Sequence, residues 1–156
     1  MKKTTLCYIR RDGCYLMLHR VKKENDLNHD KWIGVGGKFE PNETAEDCLL
    51  REVREETGLR LTDYALRGIV TFLSDRWDDE EMYLYTADGF EGALADCDEG
   101  TLEWVPIPKV TELALWEGDK LFLSLLETDA PFFRMTLSYD KEDRLKFAEL
   151  DGKVIR

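Results

Sequence analysis

Glu52, Glu55 and Glu56 follow one another at i, i+3 and i+4 in a stretch of helical periodicity. On a helix these positions are neighbours, so three carboxylates converge. On a helical wheel started at Ala45, Cys48, Leu49 and Val53 form an apolar arc at about 300°, 40° and 80°. Glu52 and Glu56 fall inside that arc at about 340° and 20°, and Glu55 on its border at about 280°. Arg51 and Arg54 point elsewhere, at about 240° and 180°, so no base shares the arc. Like charges this close and partly buried raise one another's pKa or require a cation. Carboxylate oxygens suit a hard divalent ion, Mg²⁺ or Mn²⁺. The competing reading rotates the helix so that the glutamates reach water.

The flanking residues say what must hold this helix. Thr44 can cap its N-terminus, with Asp47 in the capping-box position, and Gly58 ends it. Ahead of it, Gly34-Val35-Gly36-Gly37 is too glycine-rich for regular structure and leads to Pro41. Thr4–Arg11 and Cys14–Val21 are β-rich runs joined at Asp12-Gly13, a hairpin signal. Residues 22–31 are polar and read as a loop. Ala65–Ser74 and Met82–Phe90 read as strands around an acidic hairpin loop that includes Asp78, Asp79, Glu80 and Glu81. Thr101–Ile107 is a further strand, stopped by Pro106 and Pro108. Gly118–Glu127 is a second helix with Leu121, Phe122, Leu125 and Leu126 on one face. Phe132–Tyr139 and Leu145–Leu150 form a closing hairpin. Strands mixed with two helices predict an α+β fold, and 156 residues without repeats or linkers predict one domain over 1–156.

The charge balance narrows the partners. There are 33 acids against 22 bases, a net charge of −11. Such a chain is repelled by duplex phosphates and anionic lipid, so neither duplex nucleic acid nor membrane is expected. The excess is local: residues 43–56, 75–81 and 91–103 hold 16 of the acids and 3 of the bases. No run approaches the ~18 apolar residues of a membrane span, and the apolar run after Lys2 and Lys3 is too short for a signal peptide. Cys7, Cys14, Cys48 and Cys97 form no CxxC pair, which predicts reduced thiols and a cytoplasmic protein. Asp96 and Asp98 suggest a calcium loop, but the glycine and glutamate an EF-hand needs are not in register.

Gly37, Glu43, Arg51, Glu52, Val53, Glu55, Glu56, Gly58 and Leu59 fill every fixed position of G-x5-E-x7-R-E-U-x-E-E-x-G-U, where U is bulky and aliphatic. The sequence therefore resembles the Nudix hydrolases. The resemblance implies a mixed sheet sandwiched between helices. It also implies Mg²⁺-assisted cleavage of a nucleoside diphosphate linked to another group. It makes Glu52, Glu55 and Glu56 catalytic metal ligands, with Glu52 favoured as the base. It adds the Gly36 carbonyl and a loop acid, Glu99, to the shell. Glu43 and Arg51 would pair with each other, joining loop to helix.

Outside this motif the chain resembles MutT-like oxidised-purine nucleoside triphosphatases, through residues 31–38, 102–106 and 115–119. That resemblance implies 8-oxo-dGTP as substrate, Trp116 stacked on the base and Asp119 at the purine edge. Ile33 departs from it, since mammalian members carry there an asparagine that hydrogen-bonds the base; either Asn25 or Asn28 substitutes, or the base selectivity differs. Gly118 departs too, replacing the first of two adjacent acids. Bases in the first 40 residues, Arg20, Lys22, Lys23 and Lys38 among them, flank the glycine run, and Arg20 and Lys38 are the candidates for phosphate contact. The alternatives are another nucleotide substrate (a plain dNTP, a nucleotide sugar or an RNA 5′ end) or a catalytically silent nucleotide-binding module. A monomer or a homodimer would serve either role.

Overall fold

A computed structural model describes residues 1–22 and 26–156; Lys23, Glu24 and the candidate base contact Asn25 lie outside the described residues. β1 (Lys2–Arg11) and β2 (Cys14–His19) form the predicted hairpin, with Asp12 and Gly13 both at positive φ, as a tight two-residue turn requires. β3 (Trp32–Ile33) precedes the glycine run, and α1 (Ala45–Thr57) follows it. β4 (Arg60–Ser74), β5 (Glu80–Glu91) and β6 (Thr101–Pro106) come next, then a one-turn α2 (Ile107–Val110) and α3 (Asp119–Leu126). β7 (Phe133–Tyr139), β8 (Leu145–Leu150) and β9 (Lys153–Val154) close the chain.

The strands form one mixed sheet in the order β3-β2-β1-β5-β4-β7-β8-β9, with β6 paired to β2. β1 runs parallel to β5, and β4 parallel to β7. Residues Thr4 to Ile9 of β1 are all buried. That is the mark of a strand covered on both faces. On one face Thr5 Oγ1 meets Cys48 Sγ of α1 at 3.4 Å. On the other, Tyr8 packs against Phe122 of α3 with ring centroids 6.1 Å apart. The α+β class and the sandwich of sheet between helices are therefore present. No helix among the described residues is long and apolar enough to cross a membrane.

Several elements differ from the sequence expectation. β4 begins at Arg60 rather than Ala65, and β2 stops at His19, leaving Val21 exposed. Glu80 and Glu81 belong to β5, not to a loop; Glu80 is buried, bonded to Thr4 and ion-paired with Lys2. An acidic run looks solvated in sequence, but strand alternation here turns one of its acids inward. α3 buries Phe122, Leu123, Leu126 and Asp119, so its inner face is rotated from the predicted one.

Candidate active site

β1 separates from β2 just beyond the turn, and the glycine run takes the place beside it. The Cys7 N–H donates to Val35 O (2.6 Å), the Val35 N–H to Cys7 O (2.9 Å) and the Thr5 N–H to Gly37 O (2.9 Å). The approach is too close for side chains: a Cβ on Gly36 would lie 2.0 Å from Thr5 O. A Cβ on Gly37 would lie 2.4 Å from the Glu52 carboxyl carbon. The glycines thus bring backbone against the helix carboxylates.

α1 is fixed at both ends. Thr44 and Asp47 make the reciprocal capping box at 3.1 Å each, and Gly58 ends the helix at φ 80°. The three glutamates then sit at three depths. Glu56 is 6% exposed, Glu52 is half-buried, and Glu55 has a side chain 58% exposed. The Gly36 N–H donates to Glu56 Oε1 at 2.8 Å. Glu56 Oε2 is sealed from solvent and has no hydrogen-bond donor. Burial, and then the adjacent Glu99 charge, push Glu56 up to about 9. Burial also raises Glu52, opposed by the Arg51 hydrogen bond.

Arg51 corrects the wheel argument. Its guanidinium folds back to Glu52 Oε1 at 2.8 Å and to Glu55 Oε2 at 3.1 Å. It also grips Glu43 through two bonds, of 2.6 and 2.8 Å, and the Lys38 carbonyl at 3.0 Å. A long side chain leaving the helix at one angle can end at another, which a wheel of Cα directions does not show. The Glu43–Arg51 pairing joins loop to helix, and Arg51 holds the Glu43 carboxyl down at about 2. Arg20 engages Asp26 and Glu99 at 2.9 Å each, so it orients the Glu99 loop. Among the described residues no group of three acidic, His or Cys side chains is assembled to hold an ion unaided. The reason is visible in these pairs: guanidinium groups neutralise Glu52, Glu55 and Glu99.

The donor set nevertheless fits a hard cation. Glu56 Oε2 is a buried, unpartnered oxygen, Glu52 and Glu99 act on it electrostatically, and no donor among the described residues is aimed at the Gly36 carbonyl. All the available ligands are oxygens.

A cavity of about 370 Å³ opens from this ridge. Gly36, Gly37, Lys38, Arg20, Glu52 and Glu99 line it, with Arg20 bonded to Glu99 and Gly37 against Glu52, and so do Ile33, Phe72, Trp116 and Asp119, with Phe72 packed on Trp116. Trp116 is both wall and core: it meets Phe72 edge-on at 5.3 Å and Tyr139 at 4.9 Å. Its Nε1–H donates to Asn28 Oδ1 at 2.7 Å. Asp119 is buried at the start of α3, and burial pushes it up to about 8 against the opposing charge of Lys31. The sequence reading missed Lys2, Thr4, Phe72, Glu80 and Met82 as lining residues. Only the register between distant strands brings them together, and no local motif announces that.

The carboxylate-bearing helix, the glycine loop against it and the mixed sheet between helices are the arrangement the sequence motif implies. The NUDIX domain model matches residues 2–126, and the chain belongs to that family. It is 27% identical over 161 residues to the uncharacterised Nudix hydrolase YvcI of Bacillus subtilis, covering 100% of this chain and 98% of that protein. It is 30% identical over 105 residues to the oxidized purine nucleoside triphosphate hydrolase of Danio rerio, covering 67% of each. A crystal structure of the mutator MutT protein from Bacillus halodurans superposes with a TM-score of 0.85 at 26% identity, over 98% of this chain and 99% of that one.

Proposed function

We infer that the protein is a Mg²⁺-dependent nucleoside triphosphate pyrophosphohydrolase whose substrate is an oxidised purine, 8-oxo-dGTP, cleaved to 8-oxo-dGMP and pyrophosphate. One observation carries this: a single cavity is lined both by Glu52 and Glu99 of the carboxylate cluster and by Trp116 and Asp119. In the reaction, water adds to phosphorus, one P–O–P bridge breaks and the water's proton goes to a carboxylate. Glu52 suits that task, because burial raises it and Arg51 holds one of its oxygens. Glu52, Glu55, Glu56, Glu99 and the Gly36 carbonyl are the proposed metal ligands. Mg²⁺, or Mn²⁺, bound there supplies Lewis-acid charge neutralisation for the phosphates and lowers the pKa of water. Lys38, exposed and lining the cavity, is the proposed phosphate contact.

Trp116, buried but lining the cavity with the Lys31 ammonium over its ring, is the proposed aromatic partner of the base, and Asp119, whose carboxyl burial pushes up to about 8, is the proposed hydrogen-bonding acid. Because an indole N–H only donates, the Asn28 oxygen is committed to Trp116, which leaves its amide N–H₂ for the base. That compensates for Ile33, which lines the same cavity without a polar atom to offer. The test is hydrolysis by the purified protein with Mg²⁺ of 8-oxo-dGTP, dGTP, ADP-ribose and diadenosine polyphosphates. Fastest turnover of 8-oxo-dGTP is expected. Equal rates on dGTP would overturn the oxidised-purine reading, and no hydrolysis of any would overturn the enzyme.

A further inference from the structure

The floor of the cavity is three strands wide. Lys2 and Thr4 of β1, Glu80 and Met82 of β5, and Phe72 of β4 all line it. The register puts Lys2, Glu80 and Phe72 in one row across the strands, since Lys2 pairs with Glu80 and Glu80 with Phe72. Glu80 thus stands next to the ring on which Trp116 packs, with Lys2 and Thr4 on one side of it and Phe72 on the other. It is 9% exposed. A carboxylate in such a place is held by its partners: Thr4 Oγ1 donates to Oε2 at 2.8 Å, and the Lys2 ammonium lies 3.4 Å from Oε1. Each carboxylate oxygen accepts two hydrogen bonds, so one position on each remains open after these contacts. Two parallel acceptors match two adjacent N–H donors, as in any fork-to-fork carboxylate pair.

The geometry points to Glu80 as the specificity-determining residue that accepts the N1–H and 2-amino hydrogens of a guanine-type base held between Phe72, Trp116 and Asp119. Thr4 and Lys2 are its positioning residues, setting the carboxylate plane from the neighbouring strand. The two buried acids of the cavity then divide the work: Glu80 accepts from one edge of the purine, and Asp119 donates at another. A site that leaves an acceptor unpaired penalises a base lacking the donor, so the 2-amino group becomes a requirement.

The inference rests on the nucleotide reading above but is tested by binding, which needs no turnover. Calorimetric titration of the wild-type protein compares dGMP and 8-oxo-dGMP with dIMP, which keeps N1–H and lacks the 2-amino group. The wild type is expected to bind the guanine nucleotides about 30-fold more tightly than dIMP, the worth of one hydrogen bond to a charged group. In Glu80→Gln that preference is expected to fall to about 3-fold or less, with the affinity for dIMP, whose N1–H meets the same residue, falling less than the affinity for dGMP. Equal binding of dGMP, 8-oxo-dGMP and dIMP by the wild type overturns the proposal without any variant. So does an undiminished preference in a folded Glu80→Gln protein, or no measurable binding of either guanine nucleotide. Hydrolysis without base preference would remove this inference and leave the enzyme standing. Preference without hydrolysis would do the reverse.

Discussion

The indole N–H of Trp116 donates to the Asn28 side-chain oxygen across 2.7 Å, joining segments 88 residues apart. The bond ties the aromatic wall of the cavity to the loop that carries Arg20 and Asp26. The aromatic wall and the Glu99 side of the cavity are therefore linked through this loop. Asn28→Ala removes the acceptor and frees the indole N–H. The expected result is a KM for 8-oxo-dGTP raised about 10-fold with kcat nearly unchanged, because the loss falls on ground-state and transition-state binding alike. Steady-state kinetics on the purified variant check it.

Gly37→Ala tests the close approach of loop and helix. The added methyl would sit 2.4 Å from Glu52 Oε2. Gly37 is not at positive φ, so the cost is steric rather than conformational. Displacement of one carboxylate by about 1 Å is expected to lower kcat about 100-fold. Thermal unfolding should change little, which separates a misplaced side chain from a broken fold.

Glu56 makes stability depend on pH in a defined direction. Its folded-state pKa is about 9, well above the ordinary carboxylate range. Between that range and pH 9 the folded protein holds a proton that the unfolded chain has released. Stability therefore falls as pH rises through this window. In chelator, Tm is expected to drop steadily from pH 6 to pH 9, and Glu56→Gln should flatten the slope. Mg²⁺ binding at pH 7.5 should release about one proton, read from titrations in buffers of different ionisation enthalpy. Glu56→Gln should also abolish turnover; surviving activity would reject Glu56 as a ligand.

Asp119 adds a second titration, centred at about 8. Its neutral form is the donor, so kcat/KM for 8-oxo-dGTP is expected to fall as pH rises past 8. Asp119→Asn keeps a donor and should remove this fall while retaining activity within about 10-fold. Asp119→Ala should lose more, by leaving the base edge unpaired. The pH profile of the three proteins is the measurement.

The placement of the carboxylate ridge was legible because its residues lie on one short helix. Helical spacing, a capping threonine and a terminal glycine are local features, and they put Glu52 and Glu56 on the inner face as the wheel indicates. Long-range relations were not legible. Arg51 leaves the helix on one side and neutralises carboxylates on another, which depends on its side-chain path. Glu80 looked like one more acid in a polar run, because its burial is set by β1 and β4, distant strands that flank it. The two-residue β3 and the single turn of α2 are too short for any periodicity to register.

The parallel pairing of β1 with β5, and of β4 with β7, also bears on how the molecule is made. Thr4 and Glu80 meet across 76 residues, and Phe72 finds its β7 neighbour Leu137 only after α3 has been traversed. Contacts that distant must close large loops before they return any stabilisation, so folding is expected on the millisecond-to-second scale. A chain still emerging during synthesis carries the whole glutamate helix early, but the cavity is complete only once Trp116 and Asp119 have arrived and β4 has gained its β7 neighbour. Ligand competence is thus acquired near the end of folding, well after the residues that would perform the chemistry have taken their local shape.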